Sequence, residues 1–185
     1  MLDFLYSIDL SIFYLINHDL SIPILDKFFS LITDVTKWYI AYVILLGILF
    51  RYGGKKGRIA AVAVILLIVF SDQLGAKLLK EFFQRIRPCN ALGDVLIPVG
   101  CTGSYSFPSN HALNNFAVAV FFHRLYPNLK WVLFITAFLI ALSRVYLGLH
   151  YPSDVVGGTL IGAAIGYVFS VAVIRFDSAI KNKLK

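Results

Sequence analysis

Apolar runs close to twenty residues long recur along this chain, and they limit what it can become. The hydrocarbon core of a bilayer is crossed by about 20 predominantly apolar residues in a helix. Five stretches are read as spans: Val35 to about Phe50, Ile59 to about Leu79, the run after Pro108 to near Phe122, Trp131 to about Leu147, and Ser153 to Ile174. Trp38, Tyr39 and Tyr42 mark the entry of the first, as aromatics do at membrane interfaces. The chain of 185 residues is 59% hydrophobic and only 15% charged, with a mean hydropathy of +0.79. That leaves too little polar surface for a water-soluble domain of this size. The expected fold is all-α, a single polytopic transmembrane helical bundle over 35–175, with an N-terminal segment at 1–34 and a cytoplasmic tail at 176–185.

The N-terminal segment is less regular. Residues 2–20 are apolar but interrupted by Asp3, Asp9, Asn17 and Asp19, so they read as an amphipathic helix lying in the interface. A short sixth span is the alternative, since tilt and bilayer thinning accommodate mismatch. Pro23 opens a second interfacial helix over Ile24 to Ile32. With no basic n-region and no small-residue cleavage site, a signal peptide is not expected.

Charge sets the orientation. The chain carries +7 at neutral pH, but the cations cluster in short loops beside spans, not in basic-aromatic repeats, and no nucleic-acid partner is expected. Arg51, Lys55, Lys56, Arg58, Arg124, Lys130, Arg175, Lys181, Lys183 and Lys185 all fall on one side of the bundle. The positive-inside rule makes that side cytoplasmic. The 81–107 loop and Ser143 to Asp154 then face outward together, and His123 lies on the wrong side for their chemistry. RYGGKKGR, Arg51 to Arg58, reads as a tight loop turned by its glycines. Cys89 and Cys101 share the outward loop, where an oxidising compartment favours a disulfide. Gly158, Gly162 and Gly166, four apart, form a stripe for close helix packing within the bundle, with dimerisation a weaker option.

Three outward segments carry candidate chemistry. In KEFFQRIRP, Lys80 and Arg87 are seven apart and would share a helical face if the helix continued, presenting two cations to phosphate oxygens. In FPSNHA, Ser109 is a suitable N-cap for a helix whose first amides form an anion pocket, with His111 in its first turn as a proton donor. Asn114 and Asn115 follow one turn on, as support or packing. In SRVYLGLHYPSD, Arg144 supplies a third cation. His150 and Asp154, four apart, have the pattern of a nucleophile and the carboxylate that orients it.

Lys80-x6-Arg87-Pro88, Pro108-Ser109-x-His111 and Ser143-Arg144-x5-His150-x3-Asp154, in that order, resemble the three-part signature of the type 2 phosphatidic acid phosphatase superfamily over about residues 72–166. The family pattern usually has glycine between the serine and histidine of its middle motif; this chain has Asn110. The resemblance implies that His150 attacks phosphorus to form a phosphohistidine and that Asp154 orients it. His111 would protonate the departing oxygen and then activate water. Lys80, Arg87, Ser109, the amide of Asn110 and Arg144 would hold the phosphate, with no metal or other cofactor. The implied partner is a phosphorylated lipid in the bilayer: undecaprenyl diphosphate, phosphatidylglycerol phosphate, phosphatidic acid or the 1-phosphate of lipid A. The implied location is the bacterial cytoplasmic membrane, with the site facing outward. A vanadate-binding haloperoxidase fits so hydrophobic a chain poorly. A non-catalytic lipid-phosphate binder or transporter is the other reading, but a binder needs only the cations and not the His111, His150 and Asp154 set.

Overall fold

Helix α7, Asn110–Leu125, occupies the centre of the molecule and explains the arrangement of the rest. The computed structural model describes residues 2–183, with side chains from Phe4 to Ser178. Before α7 come α1 (Leu2–Tyr14), α2 (Pro23–Thr33), α3 (Val35–Tyr52), α4 (Gly54–Gln73), α5 (Lys80–Phe83) and α6 (Pro88–Ala91); after it come α8 (Lys130–Tyr146) and α9 (Pro152–Lys183). No strand occurs among the described residues. Val35–Tyr52, Gly54–Ala91, Pro127–Tyr146 and Pro152–Ser178 are long and apolar enough to cross a membrane. Phe4–Asp19 and Pro23–Thr33, bent by 112°, add a fifth if counted as one broken span. The molecule is thus an all-helical membrane bundle with four to five apolar spans.

With 16 residues, α7 is about 24 Å long, short for a span. It compensates by meeting protein instead of lipid: Ala112, Leu113, Ala117, Ala119, Phe121 and Leu125 are all buried. Its partners are α4, α8 and, above all, α9. The stripe on α9 makes that approach possible. A Cβ on Gly158 would lie 2.6 Å from the Ser109 carbonyl oxygen, on Gly162 2.1 Å from that of Leu113, and on Gly166 2.2 Å from that of Ala117. Small residues allow backbones to touch in this way, so the stripe serves packing inside the bundle.

Three local expectations need correction. The basic 51–58 segment is hardly a loop: α3 runs to Tyr52 and α4 starts at Gly54, whose φ of 61° makes the turn. The last helix does not stop at Ile174 but continues as far as Lys183, so most of the supposed tail is helical and only its last two residues lie outside those described. The helix carrying Lys80 does not continue to Arg87. After a π-helical stretch, Leu74–Leu79, and α5, Gln84 adopts a left-handed conformation (φ 47°) and the chain is extended at Arg87. A seven-residue spacing therefore does not place the two cations on one helical face; the break at Gln84 turns the chain inward instead.

The two helices expected at the N-terminus are α1 and α2. They pack closely on the end of the bundle that holds the candidate site. Phe13 is fully buried beside Tyr151, with ring centroids 5.8 Å apart. Asn17, also fully buried, donates to the carbonyls of Leu96 (2.9 Å) and Tyr146 (2.7 Å) and accepts from the Leu96 amide (3.0 Å). A buried amide with its groups satisfied fixes a segment in place.

Candidate active site

The segment from α8 to α9 positions His150 and Asp154. After Tyr146 the chain folds back through Gly148 (φ 73°), and the amides of Leu149 and His150 both donate to the Arg144 carbonyl (3.0 and 3.1 Å). A Cβ at Gly148 would meet Val95 at 2.4 Å and the Leu96 carbonyl oxygen at 2.7 Å, so the turn is pressed against the preceding loop. His150 is thereby held at 2% exposure. Pro152 starts α9, and Asp154, fully buried, sits in its first turn.

The contacts of His150 assign its proton. Nε2 lies 3.0 Å from Arg87 Nη1. A guanidinium only donates, so Nε2 must accept, and the proton of the neutral ring sits on Nδ1. Nδ1 faces Asp154 Oδ2 at 3.6 Å and Ser106 Oγ at 3.4 Å. Burial pushes this imidazole below the ordinary histidine range; Asp154 opposes that shift and the Arg87 cation reinforces it. The ring is therefore neutral, with a lone pair on the atom that faces the cations.

Asp154 is tightly held. Oδ2 accepts from the Tyr151 amide (2.9 Å) and from Ser106 Oγ, and Oδ1 accepts from Arg85 Nη1 (2.6 Å). Arg85 also pairs with Asp9 Oδ2 (2.7 Å), donates to Ser153 Oγ (2.6 Å) and lies over the Tyr151 ring at 4.0 Å. Asp9 in turn accepts from the Ser153 amide at 2.8 Å. The carboxylate that faces His150 is thus tied to α1.

The expected phosphate cations are buried together. Lys80 and Arg87 are each 5% exposed and Arg144 is 8% exposed. Lys80 Nζ donates to the Tyr105 carbonyl. Arg87 donates from Nε to the Ser104 carbonyl (2.7 Å), from Nη2 to Ser104 Oγ (2.9 Å) and from Nη1 to the Leu149 carbonyl (3.0 Å). The Cys89–Cys101 disulfide, with Cα atoms 6.0 Å apart, closes the loop between Arg87 and the Ser104 that grips it. Cations buried in excess of carboxylates are stable only when an anion or well-placed acceptors compensate them.

At the start of α7, Ser109 occupies the N-cap position but its side chain makes no cap bond. Its hydroxyl is buried without a partner, as is Arg144 Nε. The first intrahelical bond is from the Leu113 amide to the Ser109 carbonyl, so the amides before it have no acceptor in the helix. Asn110 turns its side chain away from this end: Nδ2 donates to Asp72 Oδ1 at 3.0 Å, where Asn114 Nδ2 also donates at 3.3 Å. Ser71 Oγ donates to Asn114 Oδ1 (2.7 Å). Only the backbone of Asn110 is left for an anion. Asn115 donates to the His111 carbonyl. His111 Nε2 lies 3.2 Å from the Thr33 carbonyl oxygen, and Arg144 Nη1 donates to Thr33 Oγ1 at 2.7 Å.

His150 and Asp154 are therefore adjacent, Arg87 touches His150, and His111 and Arg144 meet at Thr33. Sequence reading missed Arg85, Asp9, Thr33, Ser104 and Ser106. Asp9 carried a signal, an acid in an apolar helix; Thr33 and the serines carried none.

A bundle of apolar helices that collects cations, free amides and a neutral histidine at one end defines a membrane phosphatase. The chain belongs to the PAP2 superfamily, whose family model matches residues 59–177. It is 35% identical to a lipid A 4'-phosphatase of Bacteroides thetaiotaomicron over 91% of this chain and 78% of that protein. It is 37% identical to phosphatidylglycerophosphatase B of Bacillus subtilis over 64% of this chain and 60% of that one. Among solved structures it resembles the crystal structure of Aquifex aeolicus LpxE, with a TM-score of 0.69 and 34% identity over 86% of this chain and 93% of that one.

Proposed function

We propose that this membrane lipid phosphatase of the PAP2 superfamily transfers a phosphoryl group from a lipid to His150 and then to water. The observation that carries the reading is the state of His150, neutral, with Nε2 facing Arg87 and Nδ1 facing Asp154. In the first step the Nε2 lone pair attacks phosphorus, the bond from phosphorus to the lipid oxygen breaks, and that oxygen takes a proton from His111. Asp154 stabilises the positive charge that develops on the His150 ring. Charge on the phosphoryl oxygens is met by Lys80, Arg87, Arg144, the hydroxyl of Ser109 and the amides opening α7. In the second step His111 takes a proton from water, the water oxygen bonds to phosphorus, the N–P bond breaks, and inorganic phosphate leaves.

The substrate is a phosphorylated lipid whose tails stay in the bilayer. Two relatives that match 90% or more of this chain are named lipid A 4'-phosphatases, which puts a phosphate on a lipid A-type glycolipid first. Phosphatidylglycerol phosphate, undecaprenyl diphosphate and phosphatidic acid follow. Five spans, α3, α4, α7, α8 and α9, with the basic loops in the cytoplasm, turn the site to the outer face of a bacterial inner membrane.

Trapping with phosphate-labelled lipid tests the mechanism. Label retained through base and lost in acid, and absent from an inactive His150→Ala protein, is expected. An acid-stable, base-labile adduct, or a fully active His150→Ala protein, removes His150 from the nucleophile's role.

A further inference from the structure

Thr33 lies outside the residues matched by the family model, which begin at 59, and it touches two candidate site residues, His111 and Arg144. It ends α2 and is 6% exposed. The next residue, Asp34, leaves the helix with φ −79° and ψ 95°, so the Thr33 carbonyl is one of the helix-end acceptors that need an outside donor. His111 Nε2 supplies it at 3.2 Å. The hydroxyl of the same residue accepts from Arg144 Nη1 at 2.7 Å. Arg144 Nε, in contrast, is buried without a partner, as is Ser109 Oγ. A buried guanidinium nitrogen left unpaired is costly unless a ligand completes it. Thr33 thus occupies one edge of the Arg144 fork while a second edge stays open.

Building on the phosphatase reading, we propose that Thr33 is a positioning residue for phosphate binding. Its hydroxyl holds the Arg144 guanidinium so that Nε faces the phosphoryl oxygens beside Ser109, and its carbonyl accepts from His111 Nε2, which leaves Nδ1 as the ring nitrogen that serves the lipid oxygen. A bidentate cation must be oriented before it can grip two oxygens, and a guanidinium anchored through one nitrogen has few orientations left. The end of α2 also brings the partial negative charge of a helix C-terminus to two groups that carry positive charge. The N-terminal hairpin therefore completes the phosphate site.

The test uses the full-length protein in detergent with three variants. Thr33→Val keeps the shape and removes the hydroxyl, Thr33→Ala removes it with less bulk, and Thr33→Ser retains it. Direct binding of vanadate, an oxyanion of the same shape as phosphate, is measured alongside KM and kcat on a lipid phosphate. Loss of one hydrogen bond to a charged group should weaken vanadate binding and raise KM about tenfold in Thr33→Val and Thr33→Ala, with kcat changed far less. Thr33→Ser should stay close to wild type. Either folded hydroxyl-free variant suffices for the comparison. Unchanged vanadate affinity in a folded hydroxyl-free variant overturns the proposal, and so does a Thr33→Ser protein as weak as Thr33→Val. If the wild type binds vanadate but releases no phosphate from any lipid, the phosphatase reading fails, while vanadate affinity still ranks the Thr33 proteins.

Discussion

Arg85, at a variable position between the two cations of the first motif, holds the Asp154 carboxylate. Its cation balances Asp154, so Asp154 acts on His150 less strongly than a free carboxylate at that distance would. The sign of the pH effect follows. In the proposed mechanism His150 attacks only when neutral, so kcat/KM should fall as pH drops through its lowered pKa. In Arg85→Gln the uncompensated Asp154 charge favours the imidazolium, and the acid limb of the profile should move to higher pH. The maximal rate should fall on the order of 10²-fold, the loss that misplacing a reacting group brings. A pH profile of kcat/KM for both proteins checks this; an unmoved acid limb would show that Arg85 does not tune the pair. His150 and Asp154 were legible in the sequence because they stand four apart in one short motif, and the turn that leads into α9 keeps them adjacent. The contacts of Arg85, Asp9 and Thr33 were not, because the partners lie 69, 144 and 111 residues away and no local pattern encodes such meetings.

Among the elements, the pairing of α7 with α9 positions the site, since α7 supplies amides without a helix acceptor and α9 supplies Asp154. Gly162 lies two turns from Asp154, yet an added Cβ there would fall 2.1 Å from the Leu113 carbonyl oxygen. Gly162→Ala should therefore push the helices apart, at a cost of about 1–3 kcal/mol typical of overpacking, and lower activity along with Tm. Gly47→Ala on α3, where no atom lies within 4 Å of the new carbon, is the matched control and should change neither. Thermal unfolding in detergent and phosphate release, measured on both, decide the point. The glycine stripe was readable from its four-residue period. The break after α5 was not, since KEFFQRI gives no turn signal and the left-handed residue is a glutamine.

For the whole molecule, orientation is the property that most needs a direct measurement. Single cysteines introduced at Gly54 and Gly93 should differ in intact cells, with an impermeant reagent reaching position 93 and not position 54. The opposite result would reverse the topology. Whichever face it meets, the site is joined by both ends of the chain: Asp9 in the first helix receives the amide of Ser153 at the head of the last. Spans enter a membrane in the order in which they are synthesised, so this contact cannot form until α9 has left the ribosome. Every earlier intermediate lacks Asp154 and leaves Asp9 without the Ser153 amide. On the proposed mechanism a nascent chain that lacks α9 is therefore hydrolytically silent, and the membrane meets no half-assembled phosphatase during the enzyme's own biogenesis.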